Sequence, residues 1–249
     1  MTYNCGFREA LNLVDSLSVR LFGCALFDFY GREKNSGSDF FDLIGDVVVK
    51  YSSNQQCNNA DYISALTDYY SRDLKEVMTI DAEAMFLRDP AARSIDEVIY
   101  TYPGFYAVFC HRFAHALYEA DIPVLPRCIS EYAHSMTGID IHPGACIGEG
   151  FSIDHGTGSV IGETAHIGKQ VALYHGVTIG AKSLPNMSTA RVNNRAKRHP
   201  TICDGCVICA GAMVLGKDTV IGNNCVIGAG VRVTSSLPPN TVIYKTNGE

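Results

Sequence analysis

The chain is predicted to adopt an α + β fold: an α-helical N-terminal domain over residues 1–138, then a left-handed parallel β-helix of hexapeptide repeats over 139–249. Three observations predict it. Aliphatic residues recur every six positions, as in Ile141, Ile147 and Ile153, or Ile161, Ile167, Leu173 and Ile179. Glycine often follows the aliphatic residue, as at Gly148, Gly162 and Gly228, which suggests a backbone conformation needed at each corner. Before residue 138 the apolar residues follow helical spacing instead.

The helices come first along the chain. Leu11, Val14, Leu17, Leu21 and Phe22 form one stripe of an amphipathic helix over Ala10 to Tyr30. Helices are also expected over Asp39 to Tyr51 and Asp61 to Met78, with polar linkers at Asn35 to Ser38 and Ser52 to Asn59. A short helical segment over Asp81 to Met85 is interrupted by Asp89-Pro90. Ser94, three residues before Glu97, suggests a capping box for a helix starting near Ile95. Pro103-Gly104 punctuates the chain before the strongest helix, Phe105 to Ala120. Pro123 and Pro126 precede a last helix over Arg127 to Thr137, which Gly138 ends.

The hexads follow. Thirteen aliphatic anchors, the last being Val233, make between four and five coils of three faces each. The count slips by one residue after Ile153 and again after Val214, and breaks for a long excursion over 181–200. That loop carries Lys182, Arg191, Arg195, Lys197, Arg198 and His199; an interruption of a solenoid usually belongs to its binding face.

Composition narrows the function. A net charge of −6 and a pI near 5.7 argue against nucleic-acid or anionic-membrane binding. No stretch approaches the roughly 20 apolar residues of a membrane span, and the polar start lacks a signal-peptide core. Ten scattered cysteines then read as free thiols of a cytoplasmic protein.

The polar residues of the hexads gather near the faults. The counting places Asp140 about one coil from His155, so that the carboxylate can orient the imidazole as a general base; an inert His–Asp surface pair fits the same spacing. His142, His155, His166 and His175 raise the question of a zinc site, but no ligand spacing supports one and no metal is expected. Cys203, Cys206 and Cys209 fall on the hexad period, so they read as small packed thiols rather than cluster ligands.

Several strings together resemble the serine O-acetyltransferase family of hexapeptide acyltransferases. They are Arg88-Asp89-Pro90-Ala91, Tyr102-Pro103-Gly104-Phe105, His111-Arg112-Phe113-Ala114-His115, Asp140-Ile141-His142-Pro143, Asp154-His155-Gly156-Thr157-Gly158, Gly162-Glu163-Thr164-Ala165 and Arg198-His199-Pro200. The resemblance runs from about 80 to 235. It implies acetyl transfer from acetyl-CoA to L-serine in cysteine biosynthesis, by direct attack without an acyl-enzyme. It implies His155 as general base and Asp140 as its orienting partner. Asp89 and Asp154 would hold the serine ammonium, Arg198 its carboxylate, with His199 and Glu163 completing the pocket. The CoA arm would pass Gly180, Ala181, Ala210 and Ala229, and Ala181 stands where the family often has a second glycine. The site is expected between neighbouring subunits of a homotrimer, or of a dimer of trimers joined by the helical domain. The family's C-terminus often ends in Ile and inserts into O-acetylserine sulfhydrylase; this chain ends Thr246-Asn247-Gly248-Glu249, so that partner is not expected. Two other readings are a hexapeptide acetyltransferase with another acceptor and a non-catalytic scaffold that binds CoA or a partner.

Overall fold

The computed structural model describes residues 5–22, Asp46, 69–182 and 196–244. Residues 23–30 of the first expected helix, the helix expected over 39–51 apart from Asp46, residues 61–68 of the one expected over 61–78, the linkers 35–38 and 52–59, Arg191, Arg195 and the tail 246–249 lie outside them. Helix α1 spans Cys5–Phe22, five residues earlier at its start than its apolar stripe suggested, and buries Leu13, Val14, Leu17 and Leu21. A π-helical turn, Tyr69–Asp73, leads into α2, Leu74–Arg88. The break expected between Met78 and Asp81 is absent. Asp81 sits inside the buried stripe of α2 with Leu74, Met78, Ala82 and Met85, and an acid in that position imitates a helix start. The helix stops at Asp89, which takes an extended backbone, because a residue before proline disfavours the helical region.

Ser94 caps α3, Ile95–Thr101, by accepting a hydrogen bond from the Glu97 amide at 3.1 Å. The Glu97 carboxylate reaches back to the amide of Arg93 at 2.7 Å rather than to that of Ser94. Helix α4 runs Pro103–Glu119, so Pro103 opens it instead of preceding it. Gly104 is where α4 rests on the β-helix: a Cβ there would lie 2.1 Å from the carbonyl oxygen of Ile153. Helix α5, Leu125–Thr137, likewise takes Pro126 into its first turn and ends on Gly138, whose φ of 71° is the left-handed cap. No helix among the described residues is long and apolar enough to cross a membrane.

From Asp140 the chain forms a left-handed parallel β-helix with three faces. The first stacks Ile141, Ile161, Ile179, Val214 and Val233; the second Ile147, Ile167, Ile202 and Ile221; the third Ile153, Leu173, Ile208, Ile227 and Ile243. Each anchor points inward onto the one a coil away, so hydrophobic burial and the parallel ladder support the same register. Ile141 pairs with Ile161, twenty positions on. The first slip is therefore two residues, not one; the slip between Val214 and Val233 is one, as counted. Two further anchors, Leu237 above Ile221 and Ile243 above Ile227, escape the count because the chain is two residues short between Val233 and Leu237.

The glycines after the anchors do not serve an unusual backbone conformation. Gly148 and Gly222 lie outside the left-handed region. Instead, a Cβ on Gly148 would lie 2.7 Å from the carbonyl carbon of Gly168, and one on Gly222 2.4 Å from the nitrogen of Pro239. They are small because one coil lies directly on the next.

Two arginines fasten the helices to the corner between the second and third faces. Arg112 of α4 forks onto Asp81 of α2, with Nε to Oδ2 at 2.6 Å and Nη2 to Oδ1 at 3.0 Å. It also donates to the carbonyls of Ile147 (3.1 Å) and Gly148 (2.8 Å), while Asp81 accepts the Phe151 amide at 3.0 Å. Arg88, at the end of α2, donates to the carbonyls of Gly150 (3.0 Å) and Gln170 (2.9 Å) and to Ser152 Oγ (3.1 Å). One buried cluster of side chains runs from the helices into the coils. Replacing only one partner of the Asp81–Arg112 pair strands the other charge in the interior. Arg112→Met is expected to lower unfolding free energy by about 3–5 kcal/mol in urea titrations, and adding Asp81→Leu to recover part of that loss.

Candidate active site

The corner from the third face to the first carries an acidic cleft. The strand Ser152–Ile153 ends at Asp154 and His155; His155 adopts a φ of 56° to make the turn. The end of α2 sets Asp89 beside them, and the cleft is lined by Arg88, Asp89, Tyr102, Ser152, Asp154 and Tyr174 among others. Asp89 accepts the Tyr102 hydroxyl and, at 2.8 Å, the amide of Ala91. These two hydrogen bonds, Tyr102's the larger, hold its carboxyl below the usual carboxylate range, and the same contact pushes Tyr102 up to about 12. Two carboxylates facing a small cleft suit an ammonium group. His155 Nε2 lies 3.9 Å from Asp154 Oδ1, and its ring meets His175 edge to face at 6.0 Å. Below them, coil by coil, the same corner position passes from His175 to Ala210 and Ala229.

The corner from the first face to the second carries the opposite charge. Glu163 takes the Tyr118 hydroxyl at 2.7 Å on one oxygen and Arg198 on the other. Burial opposes its ionisation, but the hydrogen bonds from Tyr118 and Arg198 outweigh it, so the carboxyl sits below its ordinary value. His142 accepts the Gly144 amide on Nδ1 at 3.0 Å and packs edge-on against the Tyr118 ring. His199 stacks over Gly162, where a Cβ would lie 2.2 Å from its Nε2. Its Nδ1 accepts the Thr164 amide at 3.0 Å. Burial first, then the Arg198 charge, pushes His199 down to about 4.

Beside this second cluster lies an open cleft of about 470 Å³ lined by Ala181, Lys182, Arg198, Lys217, Thr219 and Ser235 among others. Gly180 ends strand β7, Thr178–Gly180, at its edge, paired with Leu215. Basic and hydroxyl groups around open space suit a phosphorylated ligand.

The expected site residues thus form two groups in one chain. Asp89, Asp154, His155, Ala210 and Ala229 share one corner; Glu163, Arg198, His199, Gly180 and Ala181 share another. The expected Asp140–His155 contact is not made: neither a hydrogen bond nor an ion pair joins them. Asp140 pairs in register with Val160, five residues beyond His155, so the counting that set them one coil apart brought His155 to the preceding corner and not above Asp140. The His155 side chain is 74 % exposed and free to turn. His142, His155, His166 and His175 do not converge: His142 lies at one corner, His155 and His175 at another, and His166 points outward from the second face. Spacing also assigned no role to Tyr102, Tyr118 or Thr164; Tyr102 and Thr164 do stand inside the family strings.

The buried His199 and His111 and the half-buried His142 all have their pKa values lowered, in each case chiefly by burial. Unfolded, these rings take up protons near the ordinary 6.5. Their contribution to stability is therefore complete above that value and is lost as pH falls toward about 4. Urea midpoints are expected to drop across this window, and the drop to be shallower in His199→Gln.

No family model matches the chain. It is 49% identical over 150 residues to the plasmid serine acetyltransferase of Synechococcus elongatus, covering 59% of this chain and 47% of that one. The chain spans about half the length of several such curated relatives. It superposes on serine acetyltransferase isoform 3 of Entamoeba histolytica in complex with cysteine with a TM-score of 0.78, at 34% identity over 96% of this chain and 82% of that one. A serine acetyltransferase of Brucella abortus in complex with coenzyme A matches with a TM-score of 0.63, at 30% identity over 81% of this chain and 78% of that one. With most of two solved relatives matched at this identity, the chain belongs to the serine acetyltransferase family.

Proposed function

We propose that this chain transfers acetyl from acetyl-CoA to the hydroxyl of L-serine, giving O-acetyl-L-serine and CoA for cysteine biosynthesis in the cytoplasm. The observation that carries the reading is the pair of complementary half-sites. One has two carboxylates beside an imidazole, and the other has a guanidinium and an imidazole beside a basic cleft. An amino acid with a nucleophilic side chain needs both: anions for its ammonium, a cation for its carboxylate, and a base for its hydroxyl. The Entamoeba relative holds cysteine, which is serine with sulfur in place of the hydroxyl oxygen. The Brucella relative holds coenzyme A.

His155 takes the serine hydroxyl proton as the oxygen attacks the thioester carbonyl. The tetrahedral intermediate collapses with expulsion of the CoA thiolate, which recovers that proton from the imidazolium. A thioester is activated enough that a positioned base suffices without an acyl-enzyme. Asp140 orients the ring once substrate turns it inward; catalytic hydrogen bonds often tighten only in the complex. Asp89 and Asp154 hold the ammonium, Arg198 the carboxylate, and Glu163 and His199 complete the wall. Pantetheine passes the small residues Gly180, Ala181, Ala210 and Ala229, with the phosphates toward Lys182 and Lys217.

The two half-sites lie on different corners of one prism. A head-to-tail ring of three copies sets the acidic corner of each against the basic corner of the next, making three sites. The helical domain, taken as residues 1–138, supplies Asp89 and the contacts for a dimer of trimers.

Thiol release from acetyl-CoA with L-serine tests the activity, and no release with the wild type overturns it. His155→Ala is expected to lower kcat by about 10²–10⁴-fold. Asp89→Asn is expected to raise the serine KM by about ten- to a hundredfold and leave that for acetyl-CoA nearly unchanged. Coexpressing His155→Ala with Arg198→Ala separates shared from private sites. Random trimers keep one intact site in every mixed ring, about a quarter of wild-type activity from two inactive parents. Private sites give none.

A further inference from the structure

We infer that Thr164 is the positioning residue of this site: its side chain seats the two substrate-facing residues of the returning loop, Arg198 and His199, and so holds the His199 ring on the Thr164 amide, which decides which ring nitrogen carries the proton. The inference rests on the function proposed above and adds to it a residue that makes no contact with substrate.

The loop over 181–200 must rejoin the coil in register, and Thr164 lies where it does. Thr164 Oγ1 accepts the amide of Arg198 at 2.9 Å and that of His199 at 3.1 Å. Its hydroxyl also meets His199 Nδ1 at 2.9 Å. A hydroxyl has one proton to donate and two lone pairs. With both lone pairs taken by amides, its proton goes to Nδ1, so every bond it can make is made inside the returning segment. The Thr164 carbonyl accepts Lys197 Nζ at 2.9 Å, which ties down the residue before Arg198.

The Thr164 amide settles the tautomer. An amide can only donate, and it donates to His199 Nδ1 at 3.0 Å. Nδ1 therefore presents its one lone pair, shared by this amide and the Thr164 hydroxyl, and the neutral ring carries its proton on Nε2. The charged and titratable groups around the ring are Arg198, Glu163, His142 and Lys197; three of these four disfavour a second proton. Gly162 leaves the ring room to lie flat on the coil above. The half-site thus presents a fixed cation at Arg198 and a fixed neutral donor at His199, both set from Thr164.

Thr164→Val keeps the shape and removes the oxygen; Thr164→Ser keeps the oxygen and removes the methyl. In steady-state assays with acetyl-CoA and L-serine, the valine variant is expected to raise the serine KM by about tenfold or more. The acetyl-CoA KM is expected to move by about twofold at most. The serine variant is expected to restore most of the loss. If valine prevents folding, Thr164→Ala removes the same oxygen with less bulk and is read the same way. A second readout is independent of turnover: nitrogen NMR of histidine-labelled protein, with the His199 signals assigned by their loss in His199→Gln. Wild type is expected to show an unprotonated Nδ1 and a protonated Nε2 at neutral pH, and the valine or alanine variant, whose released loop no longer holds the His199 ring on the residue 164 amide, to show mixed tautomers that titrate nearer the ordinary value. An unchanged serine KM with unchanged His199 signals overturns the inference, as does a serine variant no better than valine. A wild type inactive toward L-serine overturns the proposed function, while the His199 signals still judge Thr164.

Discussion

Arg112 and Asp81 meet in the interior where two helices and a β-helix corner come together, and the placement of the acidic half-site depends on that junction. A buried charge pair has little net worth as a contributor to stability, because desolvation offsets most of its attraction. Its value here is directional. A guanidinium fork fits one carboxylate orientation, and its remaining protons reach only the carbonyls of Ile147 and Gly148. The pair therefore sets both the angle between α2 and α4 and the seat of both on the coil. Arg88 repeats the attachment one residue before Asp89, so the framework places the carboxylate that Tyr102 and the Ala91 amide then hold.

The β-helix contributes by separation. Its three faces are uniform inside, and the side chains of both half-sites leave the prism at its corners. Chemistry placed at two corners cannot meet within one chain, because a packed column of aliphatic residues lies between them. Charge is divided the same way: Asp89 and Asp154 at one corner, Arg198 with Lys182 at another. The proposed reaction would join them through a second copy, and a surface complementary to a neighbour rather than to itself is the kind that closes into a ring.

Much of this was legible in residue spacing. The hexad period named the β-helix and its faces, because an inward column must repeat with each turn. The faults in the period marked both corners where polar residues gather. Other features misled for identifiable reasons. Asp81 reads as a helix boundary because an acid on an apolar stripe is rare unless paired, and its partner Arg112 is thirty-one residues away. The glycines after the anchors suggest special dihedrals, yet their role is to let coils touch. The slip after Ile153 is two residues, so one coil from Asp140 reaches Val160, and His155, only fifteen residues on, stops at the corner before it.

The sequence by itself determined the repeat, the family strings and the inventory of acid, base and cation, since these depend on residue type and short spacing. Tertiary structure decided which of them are neighbours. It divided the inventory between two corners, gave Asp89 a tyrosine partner, and turned Thr164 from an unremarked corner residue into the seat of Arg198 and His199. Those outcomes depend on contacts between coils and between domains, where one residue of register moves a side chain to another face; spacing along the chain does not encode that distance.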